Sequence, residues 1–451
     1  TRAEKALLQL RTDFIAVQKE MWVADIEKAL EESPAEAWSL FLHRYVEAFY
    51  CWRTQWMWWW ADAALGEAPE NKNIWFKDKE TELQRIREQS RLMEHGRWPE
   101  AYPFLRELAE NQVLNLKLRA QLWTVCGSIQ MYYNTLPDAR NDLAEAENLF
   151  PELPYLTICR ADLERVAGNY GASRVILEKY LASNPKDTEA YISLGRVFLE
   201  EKNWEEALRC FDKAIEVDPG NASAYRNKLA LWGKDESYFT KNREKIAKMV
   251  RLADRADPES ELSNLLEAGY TYQAGALLFQ TILNETKPDA PPQTDYTALV
   301  NECFAAATEC FQKAHTADPE RIEPMTALGY LSQLQQKYRA ASEWFHKVLQ
   351  QAPGSVDGYW NLAALCAEQG EFAKAADWYT EALPHCPMFT RTLLVKAGEM
   401  CIAAGDCEKG KKYCLDSLKI DADFDYALNT LHDLSDKMRD DGYKDKTGTK
   451  P

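Results

Sequence analysis

The stretch Ala190–Gly220 reads AYISLGRVFLEEKNWEEALRCFDKAIEVDPG, and it determines the fold. Its large apolar residues recur every three or four positions, which is the period of an amphipathic helix. Gly195 and Ala207 stand where two helices can approach closely, because a larger side chain at either position would push them apart. Pro219 follows the second apolar run and ends it, since proline cannot continue a helix. The stretch therefore predicts two packed helices joined by a short turn.

The pattern of two apolar helical runs followed by a proline recurs along the chain. Prolines that end predicted helices stand at Pro185, Pro219, Pro258, Pro319, Pro353 and Pro387. Successive prolines are 34, 39, 61, 34 and 34 residues apart. Ala327–Pro353 and Tyr359–Pro387 repeat the small and aromatic residues of the first stretch, and weaker copies extend back to about residue 82. A fixed period of this length indicates stacked repeats, and we expect about eight of them between residues 82 and 423.

The repeat resembles the tetratricopeptide repeat (TPR) family, whose unit is two antiparallel helices in 34 residues. The residues that carry the match are Tyr191, Leu194, Gly195, Phe198, Ala207, Phe211, Ala214 and Pro219. The resemblance implies an all-α fold, a right-handed α-solenoid of antiparallel helix pairs (the TPR superhelix). Non-repeat helices precede the repeats, and a helix near Tyr426–Met438 is expected to cap them at the C-terminal end.

Composition and spacing divide the chain into five expected regions. These are a Trp-rich helical region at 1–80, TPR-like repeats at 81–219, two stretched repeats at 220–320, C-terminal repeats with the cap helix at 321–438, and a flexible tail at 439–451. The stretched repeats have a long second helix near Ser237–Ala256 and a Pro-rich insertion around Lys287–Gln293. The insertion is either a tolerated loop excursion or an arm that binds a partner.

The N-terminal region is rich in tryptophan. Ala35–Leu65 is predicted to be one helix whose apolar stripe covers about half its circumference, which is typical of a helix packed on two sides. Trp58 points away from that stripe, and together with Trp60 and Trp75 it could form an exposed aromatic patch that binds a partner. Packing of the whole helix into the core is the alternative.

Composition argues against several classes of protein. The chain has 54 Lys and Arg against 71 Asp and Glu, a net charge of −17, which argues against binding of nucleic acid. Its eleven cysteines include no CxxC pair, so we expect free thiols in a reducing, cytoplasmic compartment. The chain begins at Thr1, so export after cleavage of a signal stays an alternative. No uncharged apolar run reaches the length that spans a membrane.

No motif points to catalysis or to a bound cofactor. The chain has no nucleotide-binding glycine motif and no serine nucleophile motif. None of its six histidines are three or four residues apart, so no helix presents a two-histidine metal face. We therefore predict no catalytic, cofactor-binding or metal-binding residues and expect that the protein is not an enzyme.

What the resemblance implies about function is a concave groove, lined by the first helix of each repeat, that binds other proteins or peptides. The candidate groove residues are Arg196, Arg226, Tyr330, Trp360, Asn361 and Lys396. One branch of the family grips a terminal carboxylate with lysine and asparagine. Thr326 and Tyr330 stand where the first lysine and asparagine of that clamp belong, so we do not expect the clamp here.

These observations predict a protein-interaction scaffold, or a structural or assembly subunit of a larger complex, that could form a homodimer. A membrane-associated assembly factor and the regulatory part of a longer enzyme are the alternatives.

Overall fold

A computed structural model describes residues 2–50, 54–68, 71–133, 135–232, 234, 236, 241, 261–285, 296–422 and 424–440. All regular structure in these ranges is helical and none of it is a strand, which confirms the predicted all-α fold. The chain divides into two compact units, Thr1–Cys210 and Phe211–Pro451.

The first unit contains the N-terminal helices and the first repeats. Its helices are α1 (Arg2–Glu32), α2 (Pro34–Tyr50), α3 (Thr54–Ala64), α4 (Glu80–Glu94), α5 (Trp98–Glu110), α6 (Leu116–Tyr132), α7 (Leu136–Leu149), α8 (Pro154–Val166), α9 (Tyr170–Ser183) and α10 (Thr188–Glu200). The division between the units falls within α11 (Trp204–Val217).

The second unit continues the series. Its helices are α12 (Ala222–Trp232), α13 (Glu261–Glu285), α14 (Tyr296–Ala317), α15 (Ile322–Leu334), α16 (Tyr338–Gln351), α17 (Val356–Glu368), α18 (Phe372–Ala382), α19 (Thr390–Ala403), α20 (Cys407–Ile420) and α21 (Asp425–Asp440). Helices α13 and α14 have 25 and 22 residues, whereas α15 has 13, so the stretched repeat does extend its helices. The predicted second helix at Ser237–Ala256 and the insertion at Lys287–Gln293 lie outside the described residues.

Several helix pairs meet at a small residue. A Cβ atom built on Gly329 of α15 would lie 2.4 Å from Cε1 of Phe345 on α16. Gly269 of α13 stands in the same relation to Phe311 of α14, also at 2.4 Å. Both distances are shorter than any real carbon contact, so only glycine lets these rings pack there. The identical geometry confirms the predicted register and makes the two repeats equivalent position by position.

The expected aromatic patch at the N-terminal end is wrong for two of its three residues. Trp60 is fully buried and Trp75 is buried, because both belong to an aromatic cluster inside the first unit. Trp60 Nε1 donates a hydrogen bond to the carbonyl of Phe41 at 3.1 Å, and its ring stacks on Phe41 at a centroid distance of 5.7 Å. Trp75 meets Trp60 edge-on at 5.3 Å. The side chain of Trp58 lies outside the described residues.

The structure describes the predicted helix Ala35–Leu65 as α2 and α3, and residues 51–53 between them lie outside the described ranges. Helix α2 packs on the first repeats and not only on its neighbours in sequence. The hydroxyl groups of Tyr45 and Ser90, on α4, share a hydrogen bond at 2.9 Å, and the Tyr45 ring meets Phe104 of α5. Helix α2 also contacts α6, on which Gln121 and Thr124 are buried.

We expect Gly329→Ala to lower the free energy of unfolding. The added methyl group must displace the Phe345 ring, and overpacking of this kind costs about 1–3 kcal/mol, more than the roughly 1 kcal/mol that alanine gains over glycine in a helix. Chemical denaturation followed by circular dichroism measures the change.

Gly171→Ala is the matched control, since no atom lies within 4 Å of a Cβ built on Gly171 in α9. This variant should be as stable as the parent or more stable. A Gly329→Ala protein with unchanged stability would contradict the assigned packing of α15 on α16.

Candidate functional site

Two tyrosines occupy the same position in consecutive repeats. Tyr330 follows Gly329, and Tyr270 follows Gly269, so the two tyrosines lie at equivalent positions of their helices. Tyr330 is 39% exposed and Tyr270 is 41% exposed. The Tyr270 ring meets Phe311 edge-on at 5.1 Å, while Tyr330 has no partner among the described residues. Both rings therefore present area to solvent at equivalent places.

A glutamine follows each tyrosine by three residues and so lies on the same helix face. These are Gln273 and Gln333, and both segments read Gly-Tyr-x-x-Gln. The amide oxygen of each glutamine is buried and accepts no hydrogen bond from the described residues. The Gln333 amide nitrogen donates to Oε2 of Glu368 at 2.8 Å, which fixes its oxygen in place. Each repeat therefore offers an exposed ring beside an unused acceptor.

Two carboxylates lie close together at the starts of α15 and α17. Glu323 and Asp357 are the second residues of these helices. The pKa of Asp357 is raised to about 6, first because burial disfavours its charged form and then because of the nearby Glu323 carboxylate. Arg321 Nε lies 3.2 Å from Oε2 of Glu323, so Glu323 has a counterion. Among the described residues, no hydrogen bond and no cation stabilises the Asp357 carboxylate.

Trp360 lies one turn along α17 from Asp357 and on the same side of that helix. Its ring meets Phe389 edge-on at a centroid distance of 5.9 Å. Its Nε1 atom is buried and finds no acceptor among the described residues. An indole N–H that is buried without an acceptor is unfavourable in the free chain, at a cost of about 1–3 kcal/mol.

The remaining candidates from the sequence are engaged within the chain. Asn361 donates to the backbone carbonyl of Asp357 at 2.7 Å, and Arg226 donates to Oδ1 of Asn264 at 3.2 Å. Lys396 Nζ donates to Oε2 of Glu399 at 3.2 Å and lies 5.0 Å from the centroid of the Tyr426 ring on α21. Arg196 is partly buried and lies in the first unit, whereas the other five candidates lie in the second.

The side chains that gather on the first helices of the second unit will be called the inner strip. It consists of Tyr270, Gln273, Glu323, Tyr330, Gln333, Asp357 and Trp360. Sequence reasoning had selected only Tyr330 and Trp360. The repeated Gly-Tyr-x-x-Gln could have led to Tyr270 and the two glutamines, whereas no sequence signal marks the unpaired state of Asp357.

Other side chains that could take part in chemistry, the cysteine thiols, are buried in the core. Burial raises the pKa of the Cys159 and Cys210 thiols to about 12, so both stay protonated and are poor nucleophiles at neutral pH. Nowhere in the described ranges do three His, Cys, Asp or Glu side chains gather as a metal site would require. Among the described helices, none is both long and apolar enough to cross a bilayer.

We expect Asp357→Asn to stabilise the protein at pH 7.5 but not at pH 4. A folded-state pKa above the unfolded value means that the folded chain binds more protons between about pH 4 and pH 6, so its stability falls as the pH rises through that window. Asparagine cannot ionise, so the variant does not lose this stability as the pH rises. The gain should be on the order of 1 kcal/mol, since partial exposure weakens the effect.

Thermal unfolding at the two pH values measures this difference. Glu343→Gln, on the exposed side of α16, is the control, and its melting temperature should stay close to that of the parent at either pH. A lower melting temperature for Asp357→Asn at pH 7.5 would show that the carboxylate has a stabilising partner.

Comparison with known proteins supports the repeats. Two segments, 167–231 and 327–387, match models described as tetratricopeptide repeat, and the second includes part of the inner strip. No curated protein matches the chain significantly.

Several solved structures are similar to the chain at low sequence identity. Yeast Tom70 is 15% identical with a TM-score of 0.43, and the match covers 89% of this chain and 88% of that one. Pseudomonas aeruginosa pilF is 19% identical with a TM-score of 0.31, covering 55% and 97%. A tetratricopeptide repeat protein from Parabacteroides merdae is 12% identical with a TM-score of 0.34, covering 69% and 97%.

The two family matches agree with the 34-residue spacing of the chain and with helix pairs that meet at small residues. The chain therefore contains tetratricopeptide repeats, in the segments 167–231 and 327–387.

Proposed function

We propose that this chain is a binding protein that holds an extended segment of another protein on the inner strip. The tyrosine and glutamine pairs at equivalent positions of two repeats carry this proposal. Each exposed ring can cover the side of a bound segment, and each unused amide oxygen can accept a hydrogen bond from a backbone N–H. A segment that supplies those donors removes the cost of the buried acceptors.

The inner strip is suited to binding and not to bond making. It combines aromatic rings, amide oxygens and carboxylates. Among the described residues, its buried atoms without a hydrogen-bond partner are a donor on Trp360 and acceptors on Gln273, Gln333 and Glu323. Such groups position a ligand along a groove. We therefore propose that the chain acts without catalysis, as a scaffold or assembly subunit. No disulfide joins the cysteines that the structure describes, most of which are buried, and this favours a reducing, cytoplasmic compartment.

A site-specific cross-linker tests where the partner binds. We expect a photoreactive amino acid in place of Tyr330 to cross-link to a partner in an extract of the native cells, because that ring lies on the strip and is exposed. The control places the same group at Arg339, whose side chain is 96% exposed on α16. Equal products from both positions, or none from either, would contradict binding at the strip.

Truncation of the ring gives a quantitative version of the same test. Tyr330→Ala should weaken binding of the cross-linked partner by about 10-fold, the usual effect of removing an aromatic contact at the centre of an interface. Its melting temperature should stay close to that of the parent, since the ring has no partner within the described part of the chain.

A further inference from the structure

We propose that the segment held on the inner strip is basic, and that one of its lysine or arginine side chains binds the carboxylates of Glu323 and Asp357 beside Trp360. This inference rests on the proposed function and names the chemistry of its partner.

The charges around the two carboxylates favour a cation. Glu323 and Asp357 are the second residues of α15 and α17, two consecutive first helices that contact each other. Arg321 accompanies Glu323, and no positive group from the described elements accompanies Asp357. One negative charge is therefore left without a counterion in a partly buried place. A bound ammonium or guanidinium group supplies that counterion.

The lysine on the next first helix, α19, already has partners and does not serve as a counterion for Asp357. Lys396 is held by Glu399 and lies over the Tyr426 ring. The Tyr426 hydroxyl donates a hydrogen bond to the same carboxylate at 2.7 Å, so α21 fixes this arrangement. An acidic segment would bring its charge against Glu323 and Asp357, where Arg321 is already paired with Glu323, and like charges in a partly desolvated site repel strongly.

The uncharged polar groups of the inner strip also favour a peptide segment as the ligand. Trp360 Nε1 needs an acceptor, and the oxygens of Gln273 and Gln333 need donors. An extended backbone supplies carbonyl and N–H groups in alternation, which meets both needs. The Trp360 ring lies beside Asp357 on α17, and an aromatic face next to a carboxylate favours a cationic side chain. Backbone and side chain of a basic segment together complete the strip.

Labelled synthetic peptides test the inference with the full chain. One probe is a fluorescein-labelled peptide of twelve residues that alternates lysine with alanine, and its counterpart alternates glutamate with alanine. Fluorescence anisotropy at near-physiological salt measures the affinity of each. We expect the lysine peptide to bind and the glutamate peptide not to bind. The double variant Glu323→Gln, Asp357→Asn should weaken binding of the lysine peptide by roughly 10- to 100-fold, the usual effect of losing charge-assisted hydrogen bonds.

A matched double variant separates a site from general attraction to an acidic protein. Glu309→Gln, Glu343→Gln removes the same number of charges from exposed positions on α14 and α16. This control should change the affinity less than twofold. An equal loss in both double variants would overturn the inference, because bulk charge would then explain the binding.

Three further outcomes would also overturn it, and the first two separate the inference from the proposed function. If the lysine peptide fails to bind while the probe at Tyr330 cross-links a partner, the strip binds a segment that is not basic. If that probe also fails, binding at the strip is wrong altogether. Tighter binding of the glutamate peptide would reverse the sign of the inferred charge.

Discussion

The close approach of two helices at a residue without a side chain is the constraint on which the structure depends. At Gly329 and Gly269 the space of a missing Cβ is filled by a phenylalanine ring of the second helix. That contact fixes the rotation of the first helix. The next residue is then turned by about 100° around the helix, and in both repeats it is an exposed tyrosine. The inner strip is thus a consequence of the packing that holds each repeat together.

Local pattern predicted the repeats well, because their contacts join residues within one 34-residue period. It predicted Tyr330 and Trp360 for the same reason. It did not predict the environment of Trp60 and Trp75, because a helical wheel shows which side chains share a face but not which faces meet a neighbour. Trp60 is buried by Phe41 and Trp75, contacts that no repeat period encodes.

The polar part of the site was harder to predict than the aromatic part. Lys396, Asn361 and Arg226 are long or polar residues on groove-facing helices, and a sequence does not reveal that Glu399, a backbone carbonyl and Asn264 already engage them. The state of Asp357 depends on Glu323, 34 residues earlier, and on the lack of a nearby cation in the described chain. Charge balance between neighbouring repeats needs a three-dimensional structure.

The packing of α2 on the first repeats has a consequence for synthesis of the chain. Tyr45 contacts Ser90 and Phe104, which leave the ribosome well after it. Until then the nascent N-terminal segment lacks part of the surface that covers its aromatic side chains, and exposed rings favour aggregation. The N-terminal segment of a nascent chain is therefore prone to aggregation until α4 and α5 have emerged.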